Sequence, residues 1–82
     1  MKIGVYTMKD ALNGFMNVFP EQNDDAAKRG FIHAMRTAKS DTLFYSNPDD
    51  YALYKLGEFD TTSGIIETLP TPQYLVGGQE CK

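Results

Sequence analysis

The chain has 82 residues, 41% of them hydrophobic, with five Tyr, five Phe and no Trp, a composition that suits one small globular domain with a compact core and excludes a disordered chain. Eleven acids against eight bases leave a formal net charge of −3, which argues against indiscriminate binding to nucleic acid, and the single cysteine, Cys81, excludes an internal disulfide. The first apolar run (Ile3, Val5, Tyr6) is too short for a signal peptide or a membrane span, so a soluble cytoplasmic protein is expected.

In Lys2 to Met8, Ile3, Val5 and Thr7 alternate against Gly4, Tyr6 and Met8, the period of a strand. KDALNG is turn-prone, and Phe15 to Phe19 has β character up to Pro20, where the missing N–H is expected to end the ladder; the two strands form a hairpin. Asn23 is placed to cap a helix from about Asp24 to Ala38, with Asp24 and Asp25 at the positive end of its dipole and Lys39 at the other. Ala27, Phe31, Ala34, Met35 and Ala38 share the apolar arc of that helix. Gly30 beside it costs about 1 kcal/mol relative to Ala, which suggests a close backbone approach. Lys28, Ile32, Arg36 and Lys39 fall together on the outer face, with Arg29 and His33 adjoining, as a basic stripe.

Thr42 to Tyr45 reads as a connector or short strand, and Asn47-Pro48 as a turn. Tyr51 to Asp60 is a strong strand; DTTSG supplies an Asx-turn former at Asp60 and a residue free to take positive φ at Gly64, and Ile65 to Leu69 returns as the partner strand. Pro70 and Pro72 are expected to end that ladder, leaving an extended tail anchored by Tyr74, Leu75 and Val76. The fold class is therefore α+β, a small antiparallel sheet of about four strands with one amphipathic helix packed on one face, over residues 1–69, followed by an extended C-terminal tail, 70–82.

No residues converge on catalysis. Asp49, Asp50, Glu58, Asp60 and Glu67 crowd one stretch, but each fits a strand entrance, a turn or a solvated strand position, and no second His, reactive Cys or nucleophile motif accompanies them. His33 has no metal-ligand spacing around it and no phosphate-binding glycine loop occurs, so no enzyme activity, metal or cofactor is expected. The basic stripe is different: cations on one helix ridge can neutralise successive phosphates while exposed rings stack on unpaired bases. The candidate nucleic-acid-binding residues are Lys28, Arg29, His33, Arg36 and Lys39, with Tyr45, Tyr51 and Tyr54, and Phe44 beside them, for stacking.

Taken together, A-K-R-G-F-x-x-A at Ala27 to Ala34 and N-P-D-D-Y-A-L-Y-K-L-G-E-F-D-T-T-S-G at Asn47 to Gly64 give the chain a likeness to a known family. It resembles the small non-structural protein of gokushoviruses, single-stranded DNA phages of the Microviridae, over nearly its whole length, most specifically in L-Y-x-L-G-x-F-D, Leu53 to Asp60. The resemblance implies a protein that binds DNA in the cytoplasm of an infected bacterial host, aiding the switch to single-stranded genome synthesis and packaging, with the replication initiator or procapsid as possible partners. It also implies that the Leu53–Gly64 hairpin is a structural signature in which Gly57 and Gly64 serve backbone geometry.

The expectation is thus a non-enzymatic protein that binds single-stranded DNA with little sequence specificity, a homodimer that would double its phosphate track, with no membrane partner. The alternative is a protein-interaction module that regulates a replication or procapsid protein without touching DNA, motivated by the acidic balance and a detachable apolar tail, Tyr74 to Val76.

Overall fold

The computed structural model describes residues 1–81. Strands β1 (Lys2–Asp10), β2 (Gly14–Glu21), β3 (Tyr51–Asp60) and β4 (Ile66–Gly77) form one sheet in the order β2-β1-β3-β4, every neighbouring pair antiparallel. Helix α1 (Asp24–Arg36) and a one-turn helix α2 (Leu43–Ser46) lie between β2 and β3, and 3-10 turns occupy Pro48–Asp50 and Gly78–Cys81. The expected α+β architecture of four strands and one main helix is what forms.

Both hairpins close with the same chemistry. The Asp10 carboxylate accepts from Leu12 N–H at 2.9 Å and Gly14 takes φ +91°; the Asp60 carboxylate accepts from Thr62 N–H at 2.9 Å and Gly64 takes φ +76°. An Asx turn followed by a left-handed glycine makes each tight return. Beyond the first turn the β1–β2 register slips between Thr7 and Lys9, and the wholly buried Thr7 hydroxyl sits 3.1 Å from both the Met16 and Asn17 carbonyl oxygens in the bulge.

Asn23 caps α1 by accepting from Ala26 N–H at 2.8 Å. Ala27, Phe31 and Met35 are the buried residues of the helix, packed with Tyr6, Tyr51, Leu53 and Val76. Burying a side chain such as Phe31 is worth roughly 1.5–3 kcal/mol. At the helix start the buried Tyr6 ring lies over Gly4, where a Cβ would strike it, and its hydroxyl donates to Asp24 Oδ1 at 2.6 Å. Lys55, the cross-strand partner of Tyr6, reaches the same oxygen at 3.0 Å. Strand and helix are thereby tied at one carboxylate.

Several expectations are corrected. Helix α1 ends at Arg36 rather than Ala38: Thr37 N–H still closes a helical bond on the His33 carbonyl at 3.0 Å, but its backbone leaves the helical region at φ −102° and ψ 7°. Within the helix, Ala34 is exposed, and Gly30 has open space where its Cβ would be, so no close approach explains that glycine. Thr42 to Tyr45 is neither connector nor strand: the Thr42 hydroxyl caps α2 by accepting from Tyr45 N–H.

The largest correction concerns the prolines. Pro20 sits within β2, opposite Val5, on an edge strand where a missing outward N–H leaves no bond unmade. Pro70 and Pro72 do not end the final ladder either. Pairing jumps from Gly57 with Thr68 to Lys55 with Gln73, so both prolines ride in a bulge on edge strand β4, which resumes and runs to Gly77. The expected tail is therefore sheet and core: Val76 and Cys81 are buried, and Arg36 Nε donates to the Cys81 carbonyl at 3.0 Å. Gly78 approaches the Pro48 carbonyl so closely that a Cβ would overlap it. Lys82, the last residue of the expected tail, lies outside the described residues.

Candidate nucleic-acid interface

The basic stripe is partly consumed by the fold. Arg36 holds the Gly78–Cys81 turn through its Nε, and the half-buried Lys28 lies near the carboxylates of Asp24 and Glu80. Arg29, His33 and Lys39 are exposed, Lys39 beyond the helix end. The candidate rings do not gather around them. Tyr51 is buried in the core, packed edge-on against Phe44 at 4.6 Å, while Tyr45, 60% exposed on α2, shares with Arg36 a hollow of about 390 Å³. Tyr54 is on the other side of the sheet. Of the eight predicted residues, the structure brings together Arg36 and Tyr45 and separates Tyr54 from the helix altogether.

What surrounds Tyr54 comes from strand alternation. Tyr6, Met8, Leu53 and Val76 point to the helix, so their neighbours Val5, Thr7, Lys9, Tyr54 and Tyr74 occupy the opposite face, on which no helix among the described residues packs. There Tyr54 stands between two rings: Phe15 from β2, centroids 5.5 Å apart, and Tyr74 from β4, 5.7 Å apart, each at 85°. Phe15 and Tyr74 are 49% and 47% exposed. Lys9 Nζ stands 5.2 Å from the Phe15 centroid and 5.9 Å from that of Tyr54, within cation–π range. One row of three rings thus crosses β2, β3 and β4, with a cation above it.

Electrostatics separate the two faces. Glu21 and Glu58 pair with Gly4, and Glu67 pairs with Glu58, so these strand acids fall on the helix side, where Lys2 meets Glu67 at 3.1 Å. The ring row keeps its cation away from them. Tyr74 is held in place, its hydroxyl donating to Glu80 Oε2 at 2.5 Å while Gly77 N–H donates to the same oxygen at 2.8 Å. The Glu80 carboxylate, and then burial, push the Tyr74 hydroxyl up to about 12. The carboxylate itself is held below its usual range, first by Tyr74 and then by the Gly77 amide. Tyr74 stays a neutral donor at physiological pH.

Lys9, Phe15 and Tyr74 were not among the predicted site residues. The alternation that sets Ile3, Val5 and Thr7 on one face extends to Lys9 and is the available signal; Tyr74 falls in the expected tail because proline ends an interior ladder. Among the described residues no group of three or more His, Cys, Asp or Glu is placed to hold a metal ion, and no helix is long and apolar enough to cross a membrane.

The fold and this face define a small α+β protein with an aromatic sheet surface left uncovered by its helix. The family model described as Phage ORF5 protein matches residues 3–81, and the chain belongs to that family. It is a bacteriophage protein. Comparison with curated proteins returns no match, and neither does comparison with solved structures.

Proposed function

We propose that this phage protein is a non-enzymatic single-stranded DNA-binding protein that holds the strand on the open face of its sheet. The observation that carries the reading is the ring row Phe15, Tyr54 and Tyr74 with Lys9 above it, on the face opposite the strand acids Glu21, Glu58 and Glu67. Unpaired bases have π-faces that stack on such rings whatever their sequence, at about 1–3 kcal/mol per base, and Lys9 supplies a phosphate contact. A duplex keeps its bases stacked inside and offers the rings nothing comparable. The exposed cations Arg29 and Lys39 add to the protein's field from the helix side, and the strand's main contacts are on the sheet.

The biological setting follows from the resemblance to gokushovirus proteins: action in the host cytoplasm, shielding new single strands during the switch to genome synthesis and packaging, alongside the replication initiator or procapsid. A homodimer would double the track. The interaction-module alternative is weakened at its starting point, since Tyr74 to Val76 belong to strand β4 rather than to a detachable tail.

The test is fluorescence anisotropy of a labelled single strand of roughly 30 nucleotides and of the matching duplex, at low and moderate salt. Saturable, salt-sensitive binding of the single strand, weakened about tenfold or more by Phe15→Ala or Tyr74→Ala, is expected. Equal affinity for the duplex, or no loss in the ring variants, would refute the open-face reading.

A further inference from the structure

The two edges of the sheet differ. β4 is broken in its middle by Pro70 and Pro72, whereas β2 carries no Asp, Glu, Lys or Arg from Gly14 to Pro20. Exposed apolar side chains flank the β2 edge on both faces. Phe15 and Val18, 49% and 62% exposed, pair with Lys9 and Thr7 and so stand on the open face. Met16, 44% exposed, lies on the helix side, where it shares a hollow of about 250 Å³ with Leu43, Phe44 and Tyr51. An exposed apolar edge strand is a template for another strand. The centre of this template is fixed by its backbone. Pro20 has no N–H to give, so it faces Val5 as a non-hydrogen-bonded pair, and by alternation Val18 faces Thr7 in the same way. The Val18 N–H and carbonyl therefore point away from β1, between Pro20 on one side and the bulge at Met16 and Asn17 on the other.

We infer that β2 pairs antiparallel with β2 of a second copy of this chain, about a two-fold axis at Val18. Charge and symmetry select that occupant. Like charges directly opposite destabilise a strand pair, and this stretch has none to set against its own copy. Glu21, the one charge of β2, lies at the strand's end, away from the axis and from its counterpart. Val18 and the partner's Val18 exchange both N–H···O bonds, and their side chains meet on the open face. Opposite residues of an antiparallel pair share a face, so the joined sheet presents both ring rows on the same side. Its outer edges are the two β4 strands, interrupted by their prolines, so association stops at two copies. A single short edge buries less than the roughly 800 Å² per partner of a standard stable interface, so the dimer dissociates on dilution. The pairing stands without the DNA reading; it gives that reading a second track beside the first.

Sedimentation equilibrium of the full chain over a concentration series tests this, and a monomer–dimer equilibrium without larger species is expected. Val18→Lys, at an exposed position, sets two ammonium groups opposite each other and should raise the dissociation constant roughly tenfold, as should Val18→Glu. An equimolar mixture of these two variants should dimerise again, a recovery that misfolding of either one cannot produce. Val18→Cys should form an intermolecular disulfide under mild oxidation, because opposed residues of such a pair have Cα atoms about 5.5 Å apart, within disulfide reach, and Cys81 is buried. A monomer at every concentration, a dimer indifferent to Val18→Lys, a mixture that stays monomeric, or a Val18→Cys chain that does not cross-link overturns the inference. DNA binding by the open face is read separately and is untouched by any of these results.

Discussion

Thr7 and Tyr6, adjacent on β1, show how a single polar atom can hold a register. The Thr7 hydroxyl is enclosed beside the two carbonyls of the β2 bulge, so Thr7→Val keeps the shape and removes their donor; a loss of about 1–3 kcal/mol in chemical denaturation is expected, with Thr7→Ser near wild type. Tyr6 ends on Asp24, whose carboxyl is held below its usual range, first by the Tyr6 hydroxyl and then by Lys55. Asp10 and Asp60 are likewise lowered, each chiefly by a backbone N–H of its turn. A depressed carboxyl contributes stability that is complete above its unfolded value, near 4, and is lost as pH falls through the lower folded value. The melting temperature should therefore be flat from about pH 7 to 5 and drop below about 4, less steeply in Asp24→Asn. A drop unchanged in that variant would remove Asp24 from the account.

At the scale of elements, legibility followed local chemistry. β3 was readable to its end residues because ten residues of β pattern sit between a proline turn and an Asx turn. DTTSG announced its hairpin, and DALNG carries the same Asp-x-x-polar-Gly signal. The prolines misled because the rule that proline ends a ladder holds for interior strands, and whether a strand is an edge depends on strand order, which a local pattern does not contain. The site was legible only in part for the same reason: Tyr54 could be nominated, but its neighbours Phe15 and Tyr74 stand 39 and 20 residues away in sequence, on strands that only the sheet order brings near it. Helix cations look alike on a wheel, yet Arg36 holds the Cys81 carbonyl and Arg29 is exposed. Arg36→Ala should cost about 1 kcal/mol of stability and Arg29→Ala almost none, as read by thermal melting. Removing residues 73–82 takes away Val76, Cys81 and half of β4, and should abolish cooperative unfolding rather than free a dispensable arm.

The whole molecule is elongated, 42 × 22 × 18 Å, with a radius of gyration of 13.2 Å against about 12 Å for a compact chain of this length. The outer half of the β3–β4 hairpin, exposed from Thr61 to Thr68, extends it. On the proposed reading, a long sheet with one bare face is a path for a single strand, and each phosphate it neutralises should add roughly 0.7 to the single-strand salt slope. Lys9→Ala should remove about one such increment, and an unchanged slope would place the phosphate contact elsewhere. The two prolines in the β4 bulge carry a last consequence, for life at high concentration. Open sheet edges invite copies to join into fibres, and a stretch lacking two N–H donors, bent out of line, is a poor template for the next chain. The same interruption that hid this strand from sequence reading should keep a crowded phage protein dispersed, and Pro70→Thr with Pro72→Val should turn clear stocks into thioflavin-positive aggregates.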